Sequence, residues 1–105
     1  MTEYKLGIKI SALKDNQPVA ASAGGKDFAV VKVDGKIHVL DGVCTHQGGP
    51  LGEGSIDNGE LICPWHAGAY DINTGKADEN THWVTDINVY RVRVDSADGE
   101  IYVEL

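Results

Sequence analysis

The chain has 105 residues, enough for one domain with its own apolar core and not comfortably for two. Hydrophobic residues make up 42% and charged residues 24%, the ordinary balance of a soluble globular protein. A net charge of -7 argues against nucleic acid and against an anionic membrane surface as partners, because both select for Lys and Arg.

The N-terminal run MTEYKLGIKI alternates apolar Tyr4, Leu6, Ile8 and Ile10 with Lys5, Gly7 and Lys9, which predicts a half-buried strand. It has no continuous apolar region of the kind an export signal needs, and no stretch is long and apolar enough for a membrane span, so a cytoplasmic location is expected. Lys14 to Pro18 is a turn cluster. Phe28–Val33 and Lys36–Leu40 flank Asp34-Gly35, a dipeptide suited to the two positive φ angles of a type I′ hairpin turn. Within that hairpin His38 is an ordinary strand residue opposite Val31. Ser55–Asp57 and Glu60–Ile62 form a shorter pair around Asn58-Gly59, followed by Ala69–Ile72 and a turn at Asn73-Thr74-Gly75. Tyr90, Val92 and Val94 on one side and Ile101, Val103 and Leu105 on the other predict a closing hairpin. No window shows helical spacing over three turns. The fold class is therefore all-β, an antiparallel sandwich or barrel, with a loop-rich subdomain rich in Gly and Pro inserted at about residues 42–77 of a single domain spanning 1–105.

That subdomain holds the two cysteines of the chain, each close to a histidine, as Cys44-Thr45-His46 and, after sixteen intervening residues, Cys63-Pro64-Trp65-His66. Two Cys and two His suit zinc or an iron–sulfur cluster of mixed ligation. Mixed zinc fingers usually pair Cys with Cys and His with His. Here each loop mixes a thiolate with an imidazole, so two loops can grip a larger object, each giving one ligand to either end. Asp41, Glu53, Asp57 and Glu60 flank the region as solvated carboxylates that could steer a basic partner. His82 reads as a surface loop residue.

The spacing and its surroundings resemble the Rieske iron–sulfur family. The resemblance runs from about Asp27 to the end. It includes Gly48-Gly49-Pro50-Leu51-Gly52-Glu53-Gly54, Gly59-Glu60-Leu61-Ile62 leading into Cys63, and Tyr70-Asp71-Ile72-Asn73-Thr74-Gly75-Lys76-Ala77. It implies one 2Fe–2S cluster, with Cys44 and Cys63 on a buried iron and His46 and His66 on an outer one. With two thiolates the oxidised centre is neutral, whereas four would leave it dianionic, so mixed ligation raises the potential.

The high-potential members, those of cytochrome bc-type complexes, carry a further cysteine in each loop, forming a disulfide. Those positions here are Gly49 and Trp65. They also have a serine at the position of Gly68, bonded to a sulfide, and a tyrosine at the position of Tyr70, bonded to a cysteine sulfur. A low-to-intermediate potential is implied, with Tyr70→Phe lowering it and Gly68→Ser raising it. Without the disulfide, the loops of the apo-protein are expected to be disordered from about Gly42 to Gly68.

The chain shows no nucleophile–base pair and no phosphate loop, so no catalysis of its own is expected. The resemblance implies a monomeric one-electron carrier. Electrons would come from an upstream reductase, usually a flavin enzyme, and pass to a downstream terminal oxygenase or other oxidoreductase. Two alternatives remain: a small Rieske subunit of a larger, nitrite-reductase-type assembly, and a zinc-stabilised interaction module, which unlike a Rieske protein is colourless.

Overall fold

Strands dominate the computed structural model, which describes residues 2–45, 48–65 and 67–105. In chain order they are β1 (Glu3–Lys9), β2 (Val19–Ala23), β3 (Lys26–Val33), β4 (Lys36–Asp41), β5 (Ser55–Asp57), β6 (Glu60–Ile62), β7 (Ala69–Asp71), β8 (Val89–Tyr90), β9 (Val92–Val94) and β10 (Glu100–Glu104). Two short 3-10 turns, Ile10–Ala12 and Leu51–Glu53, interrupt the loops. No helix of the described residues is long and apolar enough to cross a membrane.

The strands form three antiparallel sheets, ordered β1-β10-β9, β2-β3-β4-β8 and β5-β6-β7. The expected hairpins are present in the expected register. Val33 pairs with Lys36 across Asp34 (φ 52°) and Gly35 (φ 77°), and Asp57 with Glu60 across Asn58 (φ 52°) and Gly59 (φ 75°). Both turns thus have the paired positive φ angles that match the twist of the strands they join.

The middle sheet is covered on both faces. On one side Phe28, Val30 and Val39 pack with Leu6, Leu13, Ile101 and Val103 into a framework core. On the other, Ala29 and Leu40 pack with Leu51, Leu61, Tyr70, Ile72, Val84, Ile87 and both cysteines. This explains why β3 reads as an unbroken run, Phe-Ala-Val-Val, where β1 alternates: successive side chains of a strand point to opposite faces, and here both faces are buried. Each fully buried Val, Leu or Phe contributes about 1.5–3 kcal/mol relative to exposure.

One strand lies outside the sequence expectations, and one expectation needs correction. The Ala-rich segment Val19–Ala23 is a strand, paired with β3 from Val19↔Val30 to Ala23↔Lys26. Tyr90 does not belong to the closing hairpin. It pairs with Val39 in the middle sheet, and the chain crosses at Arg91 to the outer sheet, where Val92–Val94 pair with β10. The packing of the second core also continues past Ala77, because Val84 and Ile87 belong to it.

Candidate metal centre

Of the predicted site residues, Cys44, Cys63 and Tyr70 lie in the described part of the chain, while His46 and His66 lie outside the described residues. Cys44 follows β4, and Cys63 lies between β6 and β7. Their loops share one backbone pattern. The Cys44 N–H donates to the Gly49 carbonyl (2.8 Å), and the Gly48 N–H donates to the Cys44 carbonyl (3.0 Å). In the second loop the Cys63 N–H donates to the Gly68 carbonyl (2.8 Å), and the Ala67 N–H donates to the Cys63 carbonyl (3.1 Å). The fourth residue after each cysteine is left-handed, Gly48 at φ 72° and Ala67 at φ 57°. Two matching loops therefore each hold a cysteine at the same corner, and both cysteines are buried, at 4% and 2% exposure.

The loops meet face to face. A Cβ added to Gly49 would lie 2.7 Å from Cys63 Sγ and 3.3 Å from the Trp65 ring. Thus the sulfur and the indole of the second loop rest on the bare backbone of the first. Trp65 is 54% exposed and covers Gly49, so the two positions where bc-type relatives carry a disulfide are joined here by a glycine–tryptophan contact.

Tyr70, fully buried on β7, reaches back to the first loop. Its Oη lies 3.3 Å from Cys44 Sγ and 3.0 Å from Thr45 Oγ1, and it accepts the Thr45 N–H at 3.2 Å. Burial, and then the bond to Cys44, push the phenol above its ordinary pKa, so it stays protonated and able to donate.

The segment 78–88 forms a third wall that sequence reasoning missed. Thr85 donates its N–H to Thr45 Oγ1 (2.9 Å), and Thr81 Oγ1 accepts the Ala69 N–H (3.4 Å). Val84 packs over Gly68 so closely that an added Cβ would lie 2.7 Å from Val84 Cγ1. A serine at position 68 therefore does not fit unless Val84 yields, and Gly68→Ser is not the simple potential-raising change that the sequence suggested. The buried positions Thr81, Val84 and Ile87 recur every three residues across this segment, a faint pattern that was available in the sequence.

The flanking carboxylates divide. Asp41 accepts the Tyr90 hydroxyl (2.5 Å) and the Asn88 N–H (2.9 Å), so it ties β4 to β8 and the segment before it. Glu53 and Asp57 are exposed. A hydrogen bond to Asp78 holds the Glu60 carboxyl above its ordinary pKa. His38 sits opposite Val31 as expected, and burial lowers its pKa, with a hydrogen bond to the Ile72 backbone opposing the shift. His82 is an exposed loop residue with its ring edge-on to Trp83.

Paired loops that bury two thiols beside an enclosed phenol suit a centre bridged between two loops. The family model described as Rieske [2Fe-2S] domain matches residues 4–102. The chain belongs to the Rieske family. It is similar to the ferredoxin component of the naphthalene 1,2-dioxygenase/salicylate 5-hydroxylase systems of Ralstonia sp, with 32% identity over 84 residues, 80% of either chain. The ferredoxin of Sphingomonas yanoikuyae B1 superposes with a TM-score of 0.85 at 30% identity, covering 99% of both chains. A putative NADH-dependent nitrite reductase small subunit from Mycobacterium tuberculosis superposes at 0.82 over 98% of this chain and 96% of its own, but at 20% identity this likeness extends to the fold alone. This Rieske protein carries a 2Fe–2S cluster and works as an electron carrier of the ferredoxin type, without transforming a substrate itself.

Proposed function

We propose that this Rieske ferredoxin holds its cluster through Cys44 and Cys63 on the inner iron and His46 and His66 on the outer iron, and that it delivers single electrons to a terminal oxygenase of the ring-hydroxylating type. The observation that carries the reading is the pair of matching loops, each burying a cysteine at the same corner, with Cys63 Sγ seated against Gly49 of the opposite loop. When bound, the cluster supplies reversible one-electron chemistry at a neutral oxidised centre.

The protein's own residues do the rest. The two loops fix the sulfurs, and with Cys44 as a thiolate ligand Tyr70 is the donor of their 3.3 Å contact. Packing of Leu51, Leu61, Val84 and Ile87 keeps water from the cysteine side. A hydrogen bond to a cluster sulfur favours the reduced, more negative state, so Tyr70 raises the potential. An upstream reductase and action as a monomer in the cytoplasm complete the proposal. The curated relatives named as ferredoxin components of dioxygenase systems support the choice of oxygenase over a nitrite-reductase-type assembly.

Redox titration of the purified, red-brown protein followed by EPR tests this. A low average g value and a potential above that of four-cysteine clusters are expected. A colourless, folded protein with one zinc per chain would overturn the reading. Replacing His46 or His66 by Cys should lower the potential, and an unchanged signal from either variant removes that histidine from the ligand set.

A further inference from the structure

Thr45 stands between the two proposed ligands of the first loop, and its hydroxyl is the junction of three segments. Thr45 Oγ1 accepts the Thr85 N–H at 2.9 Å, lies 3.0 Å from Tyr70 Oη, and lies 3.2 Å from the Thr85 carbonyl. Tyr70 Oη in turn accepts the Thr45 N–H and lies 3.3 Å from Cys44 Sγ. Each hydroxyl has a single proton to give.

The following step rests on the reading of Cys44 as a cluster ligand. A ligating thiolate has no proton, so the Tyr70–Cys44 contact is a bond from the phenol to the sulfur, which uses the Tyr70 proton. The shorter contact between Tyr70 and Thr45 is then a bond from the Thr45 hydroxyl to the Tyr70 oxygen. All donors now point one way: from the Thr85 N–H to the Thr45 hydroxyl, on to the Tyr70 hydroxyl, and from there to the sulfur. Two donors converge on the Tyr70 oxygen, from the Thr45 backbone and from its side chain. Chains of hydrogen bonds in one direction polarise one another, so the bond to the sulfur is stronger than Tyr70 alone would make it.

We propose that Thr45 is a positioning residue for electron transfer: its hydroxyl orients and polarises Tyr70 toward Cys44, raising the reduction potential and tying it to the placement of the 78–88 segment. The competing arrangement has Tyr70 giving its proton to Thr45 and Thr45 giving its own to the Thr85 carbonyl. It leaves the sulfur without a donor from Tyr70 and predicts the opposite sign on removal of the Thr45 hydroxyl.

The test is the midpoint potential of the cluster-loaded protein in four forms, Tyr70→Phe, Thr45→Val, Thr45→Ser and the double variant Tyr70→Phe with Thr45→Val. Tyr70→Phe should give the largest downward shift and Thr45→Val a smaller one. Thr45→Ser should match the parent, and Thr45→Val should add no shift when combined with Tyr70→Phe. An upward shift or no shift for Thr45→Val, beside a clear drop for Tyr70→Phe, overturns the proposal and leaves the ligand assignment standing. An equal drop in the Tyr70→Phe background also overturns it, because the effect would then bypass Tyr70. No shift for Tyr70→Phe overturns the Cys44–Tyr70 reading beneath it. Should Thr45→Val fail to load its cluster, pulsed EPR of the reduced parent protein after deuterium exchange gives the answer. An exchangeable proton coupled to the cluster from the Tyr70 oxygen is expected, and Thr45→Ala should weaken that coupling. An unchanged coupling would overturn the proposal.

Discussion

The two faces of the middle sheet support different kinds of structure. On the framework face Phe28, Val30 and Val39 meet long strands whose backbone groups are paired along β1, β3, β4 and β10. On the other face Ala29 and Leu40 meet three-residue strands and loops whose core includes Cys44, Cys63 and Tyr70. The first face is apolar and laddered. The second face encloses polar chemistry, and few ladder bonds run along its loops. Its order is expected to depend on what the loops hold. Local stability follows buried apolar contact and protected backbone bonds, so the two faces should come apart at different free energies.

The largest effect expected from that contrast is selective loss of the second face. Removing the cluster, by chelation or by Cys63→Ala, should abolish visible absorption and leave the framework folded. In hydrogen exchange the amides of Cys44, Gly48, Cys63 and Ala67, which close the two loops, should lose protection. Amides of β3 and β4 should keep theirs. Global unfolding on cluster loss would break the comparison, as would loops that remain fully protected.

A smaller effect should come from Gly75, which joins the turn after β7 to the third wall. The Ile87 N–H donates to its carbonyl at 2.8 Å, its φ is 77°, and an added Cβ would overlap the Ile87 carbonyl. Gly75→Ala should cost roughly 2–4 kcal/mol, from left-handed strain plus displacement of that wall. Denaturant unfolding would show the loss. Cluster release should quicken more than the framework melts, since Ile87 packs in the second core.

Much of the framework was legible because its signals are local. Asp34-Gly35 and Asn58-Gly59 fix their hairpins within four residues, and β1 shows its alternation directly. β2 was hidden because Val-Ala-Ala-Ser-Ala carries little hydrophobic contrast, and its pairing comes from β3. The passage of Tyr90 and Val92 into different sheets was hidden because an alternating pattern runs unbroken through the crossing at Arg91. At the site, the Cys44-Thr45-His46 and Cys63-Pro64-Trp65-His66 motifs, with the sequence around them, carried the resemblance to the family. The junction of Tyr70, Thr45 and Thr85 was not readable, because it joins residues 25 and 40 positions apart through hydroxyls that also suit a surface loop. The fit of Val84 against Gly68 depends on packing that no pattern encodes.

The link between the faces at Asp41 and Tyr90 can be tested by pH. Burial, then the hydrogen bond to Asp41, raise the Tyr90 pKa from its ordinary value near 10 to about 12. The protonated phenol is thus favoured by the folded state. Its contribution is fully present below pH 10 and is lost as pH rises through the window from 10 to about 12. Tyr90→Phe should cost about 1–2 kcal/mol at neutral pH and remove the part of the alkaline decline that falls in this window. Thermal melts across that range would check both; a decline of the same size in the variant would assign it to other groups.

The smallest effect separates the two loops themselves. Gly48 and Ala67 occupy the same left-handed position, but only one has a side chain. For an L-residue that backbone costs about 1–2 kcal/mol, partly offset because glycine loses more freedom on folding. Ala67→Gly should therefore stabilise the protein by about 0.5–1 kcal/mol. Gly48→Ala should destabilise it by a similar amount, since among the described residues an added Cβ there meets only Val43 Cγ1, at 3.8 Å, an ordinary contact. Because the described residues leave room for a Cβ at Gly48, the sign of its change reports on the backbone. Equal and opposite shifts in the denaturation midpoint would establish that the two loops share one conformational requirement. Shifts of the same sign would mean that the second loop keeps its shape through Ala67 packing, and that the likeness of the two hydrogen-bond patterns is not a likeness in energy.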